Sequence, residues 1–230
     1  MIELYSWGTP NGHKVHIMLE ECGLAYKRHP VDIGAGDQFD PAFLSISPAN
    51  RIPAIIDRDG PDGAPLAVFE SGAILLYLAE KTGKFLPNQG PVRYAALQWL
   101  MFQMSSIGPI FGQTFHYRND APEKIGMVIE RFTNEARRLY RVLDSRLAQS
   151  PYLAGDDYTI ADIATWPWTH SIAKQGHDPA DYPHVVRWFE AIKQRPAVMR
   201  GVRMFKDLGP TVMTARAKEV LFGDAQYARR

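Results

Sequence analysis

Three short segments carry residue types able to bind a small polar molecule: Thr9-Pro10-Asn11-Gly12, Ile52-Pro53 and Glu70-Ser71. In the first, a threonine hydroxyl and an asparagine amide stand where a helix begins. With a backbone N–H of that first turn they form a set of neutral donors, able to stabilise an anionic atom without a formal positive charge. The plainer reading is turn chemistry, since Thr-Pro and Asn-Gly are common turn pairs. In the second, an X–Pro bond can be cis at a cost of about 0.5–1 kcal/mol. A cis bond there turns the Ile52 N–H and C=O outward, as a strand edge ready to pair with a peptide; otherwise Pro53 simply starts a strand. In the third, a carboxylate beside a helix N-terminus can pair with an ammonium, while the serine and the positive end of the helix receive a carboxylate. Such charge-assisted bonds are the stronger class. Read without a ligand, Ser71 is an ordinary N-cap and Glu70 a solvated acid.

Residues 2–6 (IELYS) have strand character, and residues 12–23 have a helical pattern with apolar Val15, Met18, Leu19 and Cys22 before Gly23. His13 and Lys14, in its first turn, either add positive potential or are solvated. A second strand is expected around 27–33. Residues 53–57 and 65–69 form an expected hairpin across the Gly/Asp/Pro-rich 58–64. A helix over 71–83 follows, with Ser71 as N-cap and Gly83 at its end. The order β-α-β, then β-β-α, makes a small mixed α/β unit of about eighty residues. After a linker at 84–91 only helical patterns appear, over 92–117, 122–149, 159–175 and 182–194, and one short helix with a tail is expected beyond them. Thr159 and Asp162 have the spacing of an acidic capping box, with Tyr158 and Ile163 available as a staple. The stretch 111–117 (FGQTFHY) lines a pocket or fills the core.

The chain has 230 residues, 46% of them hydrophobic, enough for one large domain or two modest ones. With 26 basic and 25 acidic residues its formal charge is +1, which gives no electrostatic footprint for nucleic acid or an anionic membrane. The longest apolar runs, such as 72–79, are too short to span a bilayer, and the first residues lack the pattern of a signal peptide. One cysteine, Cys22, excludes an intrachain disulfide and fits a reducing, cytoplasmic setting. No metal is expected.

TPNGHKV (9–15), NRIPAIID (50–57) and FESGAILLYLAEK (69–81), followed by GPIFGQ (108–113) and YTIADIATWPW (158–168), resemble the glutathione S-transferase superfamily. Within it they look like the bacterial nu class, which is similar to glutathione-dependent disulfide-bond oxidoreductases and to fungal nitrogen regulators. The resemblance covers essentially residues 1–200. It implies a thioredoxin-like α/β glutathione-binding domain (1–83), an all-helical C-terminal domain (92–212) and a tail (213–230), assembled as a homodimer. It further implies that Ile52 pairs with the cysteinyl part of glutathione, and that Glu70 and Ser71 hold its γ-glutamyl end. Gln38 and Arg51 lie by this resemblance near the glycyl carboxylate and the γ-glutamyl end, and Arg131 reaches the site from the partner subunit; read without it, Gln38 and Arg51 are solvated loop residues and Arg131 a solvated or interhelical arginine.

Other classes place a Tyr, Ser or Cys at the glutathione sulfur. Here the resemblance points to Thr9 and Asn11 as the catalytic residues, with Tyr5 on the preceding strand left open. Cys22 sits on the apolar face of the first helix, so both sulfurs of any thiol–disulfide exchange come from bound glutathione and substrate. The implied activity is glutathione-dependent reduction of small disulfides, with peroxidase activity on organic hydroperoxides. The rivals are a conventional transferase adding glutathione to electrophiles and a non-enzymatic regulatory binding protein.

Overall fold

A computed structural model of the chain describes residues 1–209 and 214–228. Two compact units emerge: Met1–Leu78 with the described part of Met199–Arg230, and Ala79–Val198.

The first unit is built on a four-stranded mixed sheet, in the order β2-β1-β3-β4, of β1 (Ile2–Ser6), β2 (Tyr26–Pro30), β3 (Ala54–Asp57) and β4 (Leu66–Phe69). Strand β1 runs parallel to β2 and antiparallel to β3, and β3 and β4 form the expected hairpin. Helix α1 (Pro10–Cys22) connects β1 to β2. It starts two residues earlier than the apolar pattern suggests, because Thr9 caps it, accepting the Gly12 N–H at 3.2 Å, and Pro10 occupies the first helical position. Gly23, at φ 69°, ends it, and the Leu24 N–H closes back on the Leu19 carbonyl. The short α2 (Pro41–Leu44) precedes β3. Helix α3 (Ser71–Thr82) follows β4, with Gly83 in the left-handed conformation after it. Ser71 is its first residue rather than its N-cap. The residue before it, Glu70, has φ 69°, and its carbonyl already accepts the Ile74 N–H, so the helix begins one position sooner than expected. This is the thioredoxin-like arrangement.

The segment from Met199 onward packs in the same unit, closing the end of α9 (Pro196–Arg203) against α1. Gly201 makes this possible: a Cβ there would lie 2.7 Å from the Ile17 nitrogen and 2.8 Å from its Cα. Phe205 then packs on His16 and Trp7 at ring-centroid distances of 5.1 and 6.2 Å. Arg28 donates to both Asp207 carboxylate oxygens and to the Met204 carbonyl. Helix α10 (Ala215–Phe222) is a second helix in a stretch expected to hold one. The helical span expected over 92–212 therefore runs past this division, and its boundary with the tail at 212/213 lies outside the described residues.

The second unit is helical. Helices α4 (Pro91–Phe102) and α5 (Gly108–Phe115) are expected as one helix, and a π-helical turn over Gln103–Ile107 joins them. Pro109 has no N–H to give the regular ladder, and the wider turn, in which the Gly108 N–H reaches the Gln103 carbonyl, absorbs that loss. Helix α6 (Gly126–Leu147) buries Thr133, Ala136, Leu139, Tyr140, Leu143 and Leu147, one helical stripe. Phe111 stacks on Tyr140 at 4.4 Å and is fully buried, so in the 111–117 stretch it is core. Helix α7 (Ile160–Thr169) starts with the expected capping box. The Asp162 carboxylate accepts the Thr159 and Leu153 N–H groups and the Trp188 indole N–H, tying α7 to α8 (Pro183–Lys193). Helix α7 ends sooner than its pattern suggests, because Thr169 and His170 turn their side chains onto the carbonyls of Trp166 and Pro167.

Candidate functional site

Sheet register brings the chemistry-bearing segments to one end of the first unit. Tyr5 pairs with Ala54, and Ala54 with Phe69, in a single row across three strands. Beyond this row β1 leads into Thr9–Asn11, β4 leads into Glu70–Ser71, and β3 is entered through Ile52–Pro53. Pro30, the last residue of β2, pairs with Ser6, and the chain leaves the same end toward Gln38. Antiparallel pairing of β1 with β3 and of β3 with β4 is the physical reason: it sets two strand exits beside one strand entry.

At the start of α1, the Thr9 hydroxyl oxygen accepts from Gly12, which leaves its proton to donate elsewhere. The turn chemistry and a binding role are thus compatible. Asn11 follows, half-buried. Gly12 is a close-approach glycine: a Cβ would stand 2.2 Å from the Trp7 carbonyl oxygen and 2.8 Å from Ser6 Oγ. Beneath it Ser6 Oγ and His16 Nε2 are 2.9 Å apart, both fully buried. Burial, helped by nearby His13, holds the His16 imidazole well below its usual range, so a neutral ring supports the turn at neutral pH.

At the start of α3, Glu70 is exposed and Ser71 is 4% exposed. The two helix starts are tied by Lys14, whose ammonium donates to Ser71 Oγ at 3.3 Å. Lys14 is only 1% exposed, not part of a solvated turn. Burial lowers its pKa to about 7, opposed by the charge of Glu70.

The Ile52–Pro53 bond is cis, and no other described residue takes a hydrogen bond with the Ile52 N–H or C=O. The Ile52 side chain packs with Tyr5 and Ile46 on a small core of Val31, Phe43 and Ala54. Gln38 lies in a 3₁₀ turn and is 2% exposed. Its amide donates to the Ile33 carbonyl at 3.1 Å, while its Oε1 has no hydrogen-bond partner among the described residues. Arg51 is exposed, its main chain held by Ser47 Oγ at 2.8 Å. Tyr5, by contrast, is engaged elsewhere: its hydroxyl donates to Glu3 and its ring stacks on His29 at 4.5 Å. Cys22 is buried in the last turn of α1, eleven residues beyond Asn11, or about 16 Å along the helix axis. Arg131 is an exposed residue of α6 in the second unit.

Sequence reasoning left Lys14 open and missed Ser6, Gly12 and His16. One signal was available: Lys14 shares the i, i+4 spacing of the buried stripe Met18 and Cys22. No cluster of His, Cys, Asp or Glu among the described residues could hold a metal ion, and no described helix is long and apolar enough to cross a membrane.

A thioredoxin-like sheet with its loops gathered at one end, joined to a helical unit, defines a class, and the chain belongs to it: the glutathione S-transferase family. The family's N-terminal domain matches residues 9–81 and its C-terminal domain residues 126–191. Among its relatives, the Escherichia coli disulfide-bond oxidoreductase YfcG is 53% identical over 198 residues, spanning 86% of this chain and 92% of that protein. A glutathione transferase family member from Pseudomonas fluorescens, solved with two glutathiones bound, is 48% identical and superimposes with a TM-score of 0.84 over 87% of this chain and 92% of its own. A Pseudomonas putida glutathione transferase, solved with one glutathione disulfide per subunit, is 44% identical, with a TM-score of 0.84 over 88% and 91%.

Proposed function

We propose that the protein is a glutathione-dependent disulfide-bond reductase in which the protein contributes no sulfur. The observation that carries this reading is the contrast at α1: its start presents Thr9 and Asn11, while its one cysteine is buried about 16 Å away. A bound glutathione thiolate attacks a small disulfide, forming a mixed disulfide and releasing one substrate thiolate. A second glutathione thiolate then attacks the mixed disulfide, releasing the other thiolate and leaving glutathione disulfide. The bound states of the two Pseudomonas structures, two glutathiones and one glutathione disulfide, correspond to the reactant pair and product of that exchange. The same thiolate attacks the O–O bond of an organic hydroperoxide, releasing the alcohol and leaving a sulfenic acid on glutathione; the second glutathione thiol condenses with it to give glutathione disulfide and water.

Thr9 and Asn11 donate to the sulfur, Ile52 pairs with the cysteinyl backbone, and Glu70 and Ser71 take the γ-glutamyl ammonium and carboxylate. Gln38 and Arg51 flank the two ends of the tripeptide. How far can thiolate stabilisation account for the rate? Lowering a thiol pKa from about 8.5 to about 6.5 raises ionisation at pH 7 from about 3% to about 75%, a gain of about 25-fold. Intrinsic nucleophilicity falls about 8-fold over the same range, leaving about threefold. Alignment of the two sulfurs supplies the larger part of the rate.

The test is turnover of 2-hydroxyethyl disulfide against a chlorinated aromatic electrophile, each with glutathione. Disulfide reduction is expected to dominate and to survive Cys22→Ser. Preference for the electrophile makes the protein a conventional transferase, absence of both makes it a binding protein, and loss of reduction in a folded Cys22→Ser variant installs a cysteine mechanism.

The protein acts in a reducing, cytoplasmic setting as a homodimer, with Arg131 completing the partner's site. Mixing Arg131→Ala with Glu70→Ala subunits then regenerates one intact site per heterodimer. Mixed dimers no more active than their parents remove Arg131 from the site.

A further inference from the structure

We propose that Lys14 is a further glutathione-positioning residue: acting through Ser71, its buried amine shapes and charges the place taken by the γ-glutamyl carboxylate, so that this carboxylate binds together with a proton. This rests on the reading that glutathione lies at Glu70–Ser71.

The geometry is specific. Lys14 projects from the first turns of α1 to Ser71 at the start of α3, with Nζ 3.3 Å from Ser71 Oγ. A hydroxyl has one donor and two lone pairs, so a Ser71 oxygen that accepts from Lys14 directs its proton to another acceptor. A carboxylate at the α3 N-terminus is such an acceptor, and the positive helix end favours it. An ammonium at this depth is costly without a counter-charge. Glu70, from the β4–α3 junction, is the charged group that acts on it, and burial outweighs it, leaving Lys14 near pKa 7. A second carboxylate one hydroxyl away favours the charged form and raises that value.

The sign follows from the two states. Above pH 7 the ligand-free protein carries mostly neutral Lys14, while the complex carries the cation, so binding takes up a proton. Affinity therefore falls as pH rises above 7, until the raised pKa of the complex is passed. Below pH 7 Lys14 is charged in both states and contributes no dependence. Glutathione's own thiol would obscure this by releasing a proton on binding, so the probe is S-methylglutathione, whose sulfur does not titrate.

Titration calorimetry of the wild-type protein at pH 8, in two buffers of different ionisation enthalpy, is expected to show uptake of more than about half a proton per ligand. Replacing the γ-glutamyl carboxylate of the probe by a carboxamide is expected to cost the wild type at least about tenfold in affinity, from a lost charge-assisted bond. Lys14→Met, which keeps the volume and removes the charge, is expected to lose both the uptake and most of that discrimination. Binding by the wild type without proton uptake overturns the role of Lys14 and leaves the glutathione site standing. A Lys14→Met protein that retains uptake and discrimination does the same. No binding of S-methylglutathione by the wild type overturns the site and this role together. Both wild-type measurements decide the matter even if the variant does not fold.

Discussion

The start of α1 stands at the end of the sheet where the three turns gather, with Thr9 and Asn11, neither of which carries a charge, above a neutral, buried Ser6–His16 pair. The start of α3 faces the same end with Glu70 and, behind Ser71, Lys14. Both offer N–H groups and the positive end of a helix dipole, yet one is furnished with neutral donors and the other with charges. The difference fits what each would hold. A nucleophilic sulfur that is stabilised too strongly loses reactivity as it gains ionisation, so neutral donors that place it are sufficient. A γ-glutamyl group takes no part in bond making, and tight charge-assisted recognition there carries no such penalty. Placement should therefore govern turnover at α1, and affinity should be governed at α3.

The sharpest way to break this comparison is to move the α1 turn without touching its donors. Gly12→Ala forces a methyl group against the Trp7 carbonyl and Ser6, and the backbone must shift. Turnover of 2-hydroxyethyl disulfide is expected to fall about 100-fold, the scale of a misplacement near 1 Å. Gly8→Ala, where an added Cβ meets nothing within 4 Å, is the control and should keep near-normal turnover. Equal rates for the two variants would show that the turn does not position the reacting sulfur.

Glu70→Ala comes next. It should weaken glutathione binding by about 1.5–3 kcal/mol, the worth of a hydrogen bond to a charged group, and change turnover at saturation far less. Calorimetry giving an unchanged dissociation constant would take the γ-glutamyl group away from α3.

The smallest expected effect belongs to the donors themselves. Thr9→Ala and Asn11→Ala should each lower turnover about tenfold through lost alignment, with little change in affinity. The double variant should cost less than the product of the two if they share one sulfur. Full turnover in both singles, read beside the thiolate absorbance titration, would move the sulfur elsewhere and make Tyr5 the next residue to replace.

Much of the fold was legible because its signals are local. Gly23 and Gly83 mark where α1 and α3 end, and Thr159 with Asp162 caps α7, whereas the apolar period placed the start of α1 two residues late. Each involves residues within one turn of each other, so the chemistry of a few neighbours suffices. The strand boundaries held to within a few residues for the same reason. The single helix expected over 92–117 did not, since a hydrophobic period cannot register the π-helical turn that precedes Pro109.

For the candidate site, the sequence by itself determined the inventory: neutral donors after the first strand, an acid–serine pair opening a helix, and no cysteine near either. Only the tertiary structure decided how these residues are supported. Strand register set Tyr5, Ala54 and Phe69 in one row, which brings three separate turns to one end of the sheet. Lys14 lies 57 positions from Ser71, and the contact between them exists only because the fold brings the starts of α1 and α3 together. Gly201 and Phe205 return from the far end of the chain to close over Ile17 and His16. No local pattern announces such contacts. Burial and electrostatics depend on everything within a few ångströms of a group, and in a folded chain those neighbours come mostly from distant sequence.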